Sequence, residues 1–66
     1  MFNGTQVREL RKRLGLSQVA LGAQAGVSGT YISYLERGAR GTRPSYPFVL
    51  ALAGALGVEP AHILAT

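Results

Sequence analysis

The chain's seven basic residues fall into two groups: Arg8, Arg11, Lys12 and Arg13 before residue 18, and Arg37, Arg40 and Arg43 after residue 36. No acid occurs between Glu36 and Glu59, and the net charge of the 66 residues is +4. Cations placed on both sides of a segment neutralise an anion that the segment approaches, nucleic acid or an acidic membrane surface. The two groups therefore read as phosphate clamps, against the plainer alternative of a solvated helix face and a polar loop. Covalent chemistry has no comparable set. His62 is the only histidine, the acids are Glu9, Glu36 and Glu59, and cysteine is absent. No Ser/His/Asp set, paired carboxylate, metal cluster or phosphate-loop pattern can be assembled at workable spacing. The expectation is a binding module and not an enzyme, with no cofactor, metal or small-molecule ligand.

The segment between the clamps, QVALGAQAGVSGTYISYLE over Gln18–Glu36, reads as two short amphipathic helices joined at Gly26. Gly22, Ala23 and Ala25 are small where the two helices must approach. This is the sequence form of a helix-turn-helix, which sets its second helix into the major groove of DNA.

The elements that must hold this unit follow from caps and stops. Asn3 is placed to cap a helix over Gly4–Leu14, with Gln6 completing a capping box and Phe2 and Val7 at staple positions. Val7, Leu10 and Leu14 share one face of it. Gly15 supplies a left-handed end, and Leu16 folds back to pack. Ser17 caps Gln18–Ala25, with Leu21 and Ala25 inward; Gly26 ends it and Val27 buries behind the turn. Ser28 caps Gly29–Arg37, with Ile32 and Leu35 facing the core and Gly29, Thr30, Ser33 and Tyr34 outward. Gly38 ends this helix, and Ala39–Arg43 is a basic loop.

Ser45 caps Tyr46–Leu56, where Pro47 is tolerated in the first turn; Gly57 ends it, and Pro60 opens a short fifth helix to Ala65. The expectation is one all-α domain over residues 1–66, compact and five-helical, without strand, repeat or linker. The basic first helix needs its apolar face for the core, which excludes an amphipathic membrane binder. The uncharged run Pro44–Val58 is too short and too broken to span a bilayer. Met1–Thr5 has neither a basic nor an apolar leader region, so a cytoplasmic, nucleoid-associated protein is expected.

With these elements in place, the chain resembles the lambda repressor and Cro type of helix-turn-helix domain, the XRE family. The match is carried by LRKRLGLSQ (Leu10–Gln18), LGAQAGVS (Leu21–Ser28), YISYLERG (Tyr31–Gly38), Pro44–Ser45, LALAGALGV (Leu50–Val58) and the final P-x-x-I-L (Pro60–Leu64). The resemblance implies a lambda-repressor-like fold with the helix-turn-helix at helices 2 and 3. It implies that Gln18 and its helix N-terminus hold a phosphate. It pairs Arg11 with Glu36 as a structural tie between helices 1 and 3, with a phosphate contact as a second role for Arg11.

Base reading is assigned by the resemblance to Ser28, Gly29, Thr30, Ser33 and Tyr34. Backbone contacts fall to Arg11, Gln18, Tyr31, Arg37, Arg40 and Arg43. Tyr31 is expected mainly to pack, and Arg40 and Arg43 either neutralise phosphates or add specificity through groove width. The chain departs from the family pattern on helix 3, which offers no Arg, Asn or Gln for a bidentate base contact. It departs again on helix 4, where Pro47, Phe48, Ala51 and Gly54 replace polar residues. Phe48 is read either as core or, with its neighbours, as a neutral surface or an apolar patch for a second copy. The resulting expectation is sequence-specific binding of double-stranded DNA by a prokaryotic or phage transcription regulator, a repressor that dimerises on a palindromic operator. Two alternatives stay open: a protein-docking module, and the antitoxin or controller component of a toxin–antitoxin or restriction system.

Overall fold

The structure is a computed structural model and describes residues 2–38 and 43–64. Four α-helices follow in order: α1 (Gly4–Arg13), α2 (Gln18–Ala25), α3 (Gly29–Glu36) and α4 (Tyr46–Leu56). A 3-10 turn over Pro60–Ile63 closes the described chain. The expected fifth helix to Ala65 is thus corrected to four residues of 3-10 geometry, and Ala65 lies outside the described residues. One reason is local: Leu64 leaves helical geometry for an extended conformation and forms an isolated antiparallel bridge with Phe2.

Each helix starts where a side-chain oxygen takes an amide that the first turn leaves open. Asn3 accepts from Gln6, Ser17 from Ala20, Ser28 from Tyr31 and Ser45 from Phe48. The capping box at Asn3 is only half realised, because the Asn3 amide donates to the Ile63 carbonyl at 2.8 Å instead. The N-terminal stub is therefore fastened to the 3-10 turn by backbone at two adjacent residues.

Three of the helix ends repeat one device. The amides of Leu16, Val27 and Val58 reach back five residues, to the carbonyls of Arg11, Gly22 and Ala53. Each follows a glycine at positive φ (Gly15, Gly26, Gly57), and each apolar side chain packs on the core. This is the Schellman arrangement, in which the hydrophobic residue after the glycine returns to its own helix. It also explains why Leu14 departs from expectation. Leu14 is 53% exposed at the C-cap of α1, while Leu16, returned by the turn, packs against the core.

The core joins Val7 of α1, Leu21 of α2, Ile32 and Leu35 of α3, Val49, Leu52, Ala53 and Leu56 of α4, and Ile63 of the 3-10 turn. α2 packs on α3 and α4, and α1 packs on α3 and the 3-10 turn. Glycine sets two of the close approaches. A Cβ on Gly4 would stand 2.0 Å from the Leu35 carbonyl oxygen, and one on Gly22 would stand 2.6 Å from that of Val27. Gly22 is therefore a small residue at a close approach, though what it approaches is the turn that leads into α3 and not the helix itself. Ala23 is not one, because its side chain faces out.

Gly4→Ala should cost about 1–3 kcal/mol, since backbone must shift to admit the methyl. Gly54→Ala, where a Cβ meets nothing within 4 Å, should instead add about 0.5–1 kcal/mol by removing glycine's entropy from mid-helix. Urea unfolding of the two variants reads both signs against the parent chain.

Candidate nucleic-acid interface

The start of α2 and the outward face of α3 form one side of the domain. The N-terminus of α2 is a natural anion site, because the amides of Gln18 and Val19 lie in the turn whose N–H groups have no intrahelical acceptor. A surface depression opens there, lined by Arg8, Gln18, Ser33, Glu36 and Arg37. It draws one arginine from each of the two basic groups, Arg8 from α1 and Arg37 from the C-cap of α3. Both are exposed.

Beneath the depression, Glu36 is buried, its side chain 2% exposed. Both carboxylate oxygens are occupied. Arg11 Nε donates to Oε2 at 2.7 Å and Arg11 Nη2 donates to Oε1 at 3.1 Å. Gln18 Nε2 also donates to Oε1, at 3.1 Å. Arg11 Nη1 donates to the Leu16 carbonyl at 2.8 Å. The expected Arg11–Glu36 tie is present, and it is two-pronged. The hydrogen bond to Glu36 holds the Arg11 guanidinium above its ordinary pKa, with desolvation opposing it and the charge of Glu36 adding to it.

This network refines two of the expected roles. Arg11 spends Nε and part of both terminal nitrogens inside the protein, so its tie is primary and little of it is left for an outside phosphate. The Gln18 side chain is oriented by Glu36, which leaves its helix start as the feature open to an anion. Arg8, counted in the first basic group but not among the individual contact residues expected, lines the depression; it lies three residues before Arg11, one turn back along α1.

On α3, Ser28, Thr30 and Tyr34 are exposed, and Ser33 is half-buried at the lip of the depression. Thr30, Tyr34 and Arg37 lie at i, i+4 and i+7, on one stripe. Ser28 Oγ accepts the Tyr31 amide as N-cap. Gly29 is held against α2: a Cβ there would stand 2.8 Å from Val19 Cγ2 and 3.0 Å from the Val19 backbone. Tyr31 packs against the core, as expected of it. Its ring stacks with Tyr34 (centroids 6.4 Å apart, planes 19° apart) and meets Phe48 edge-on at 5.6 Å. Phe48 is accordingly core-associated, while Pro47, Ala51 and Gly54 are exposed. Arg43 is exposed before α4, and Arg40, also expected at the backbone, lies outside the described residues.

His62 is exposed, and among the described residues no group of His, Cys, Asp or Glu could hold a metal ion. No described helix is long and apolar enough to cross a membrane.

Comparison with known proteins places this geometry. Residues 4–65 match the family model for a helix-turn-helix domain. The chain is 41% identical over 61 residues to repressor protein C2 of Salmonella phage P22, covering 92% of this chain and 27% of that protein. It thus spans about a quarter of the length of that relative. Among solved structures, the P22 c2 repressor in complex with a synthetic operator superposes with a TM-score of 0.86 at 39% identity, covering 97% of this chain and 94% of that one. The restriction-modification controller protein C.AhdI of Aeromonas hydrophila gives 0.83 at 39% identity, covering 92% and 89%. The biofilm master regulator SinR of Bacillus subtilis, in complex with DNA, gives 0.83 at 33% identity, covering 92% and 98%.

Removing one partner of the buried pair should be far worse than removing both. Glu36→Leu should cost about 3–5 kcal/mol by stranding the Arg11 charge, and Arg11→Met in the same chain should recover most of that loss. A double-mutant cycle by thermal unfolding measures the coupling; simple additivity would show that the two residues do not act as a pair.

Proposed function

The chain belongs to the helix-turn-helix domain family, and from that membership we propose that it is the DNA-reading domain of a bacterial or phage transcription regulator, a repressor. α3 enters the major groove of double-stranded DNA, and the start of α2 abuts the phosphate backbone. The observation that carries this reading is the meeting of Arg8 and Arg37 at the N-terminus of α2, beside the exposed stripe of α3. A docking module has no reason to bring cations from both ends of the motif to a helix start that already favours anions. The P22 and SinR structures, solved with operator or DNA, support the same assignment.

The roles divide by chemistry. Arg8, Arg37 and Arg43 neutralise phosphates, and the α2 N-terminus at Gln18 accepts one through its amides. Thr30 and Tyr34 face the base edges, with Ser28 and Ser33 at the margins. Thr30 offers a hydroxyl and a methyl, and Tyr34 a hydroxyl and an apolar ring. Two copies related by a two-fold axis read the halves of a palindromic site in the cytoplasm, at the nucleoid. The likeness to C.AhdI favours a second reading, control of a restriction-modification operon, which uses the same interface on a different operator.

The test is selection of bound sequences from a pool of random duplexes over a series of salt concentrations. Salt-dependent binding with an enriched palindrome supports the proposal, and no binding at low salt overturns it. Arg37→Ala together with Arg43→Ala should reduce the slope of log affinity against log salt by about two units, one for each phosphate released. Thr30→Ala should weaken binding to the enriched site more than to random duplex. Equal loss on both would assign Thr30 to packing or to the backbone.

A further inference from the structure

Val19 is 70% exposed, the most exposed of the large apolar residues described. A small domain has few apolar side chains to spend, yet the core uses none of this one. The residue sits at the second position of α2, directly after Gln18. Its side chain stands over the beginning of α3, because Cγ2 lies 2.8 Å from where a Cβ on Gly29 would be. Glycine at 29 thus has a steric cause: Val19 occupies the space of the missing side chain. Thr30, next along α3, is exposed.

We propose that Val19 is a specificity-determining residue that presents its methyls to the 5-methyl group of a thymine in the major groove, in place of any side chain at position 29. The inference rests on the DNA-binding reading above and adds to it a residue and a base. Thymine is the one base that offers an apolar group at the major-groove edge. A β-branched side chain on a helix is nearly fixed at χ1, so little rotamer freedom is lost on contact. The neighbours argue for nucleic acid over an apolar protein surface. Val19 follows the anion-accepting helix start on one side and borders the hydroxyl-bearing α3 face on the other.

The test uses the 66-residue chain and the duplex enriched from the random pool. Each thymine of the half-site is replaced in turn by deoxyuridine, which removes only the 5-methyl and keeps every hydrogen-bonding group. For the parent chain one position should lose about four-fold in affinity, the value of burying one methyl. In Val19→Ala the thymine-to-deoxyuridine ratio at that position should fall below about two-fold, on the same scale. The ratio is taken within each variant, so a general loss of affinity or stability cancels. A ratio in Val19→Ala equal to the parent's, or no sensitive thymine in the parent, overturns this inference while leaving DNA binding intact. Failure of the parent chain to bind any duplex overturns the functional reading, and this inference with it.

Discussion

The carboxylate of Glu36, paired with Arg11, sits on a side chain almost closed to water, and three helices depend on how it is satisfied. Arg11 brings α1 to it, Gln18 brings α2, and Glu36 itself ends α3. The same guanidinium reaches the Leu16 carbonyl and so fixes the turn between α1 and α2. Buried ion pairs contribute little net stability, because desolvation offsets most of the attraction. They are more consequential for geometry, since a stranded charge excludes the arrangements that would leave it unpaired. Here the allowed arrangement sets the start of α2 beside the end of α3. With Arg11 neutralising Glu36, the net charge at the depression above is set by Arg8 and Arg37.

Steric constraints act on the same elements. α3 has eight residues, too short to persist alone, and depends on what it packs against. Gly4 allows α1 to approach the Leu35 carbonyl, Gly22 allows α2 to approach the Val27 and Ser28 backbone, and Gly29 lets α3 begin against Val19. The three absent side chains bring α3 and the turn that leads into it up against α1 and α2. The exposed stripe of Thr30, Tyr34 and Arg37 is then a consequence of where Ile32 and Leu35 must be buried.

What was legible in the sequence was mostly local. Ser17, Ser28 and Ser45 announce helix starts three residues before the amides they accept, and Gly15, Gly26 and Gly57 announce the ends. The bounds of α2 and α4 follow from these alone, and those of α1 and α3 to within one residue. The Arg11–Glu36 tie came from family resemblance, since nothing local pairs residues 25 apart. The misses depend on distant partners. Leu14 has the right spacing for the core, but the Gly15 turn gives a place there to Leu16. The capping box fails because Ile63, across the chain, takes the Asn3 amide. The hydrogen bond from Gln18 to Glu36 and the place of Arg8 at the depression required the helices to be assembled first.

On the proposed reading, the chemistry of the exposed α3 face limits how the domain can discriminate. α3 carries no side chain able to make the bidentate contacts that separate guanine or adenine from the other bases by about 1–3 kcal/mol each. Hydroxyls and methyls remain, and each gives a smaller difference. Tyr34 is partly compensated by rigidity: its ring rests on Tyr31, which is itself braced by Phe48 of α4, so on the proposed reading less freedom is lost when it meets a base. Phosphate contacts raise affinity for all duplexes alike and leave the ratio of specific to non-specific binding to these weak contacts. On the proposed reading, useful selectivity must come from counting the same contacts twice. A second copy on the other half-site squares the discrimination of one, and the spacing of the halves adds a geometric requirement that no single helix can impose.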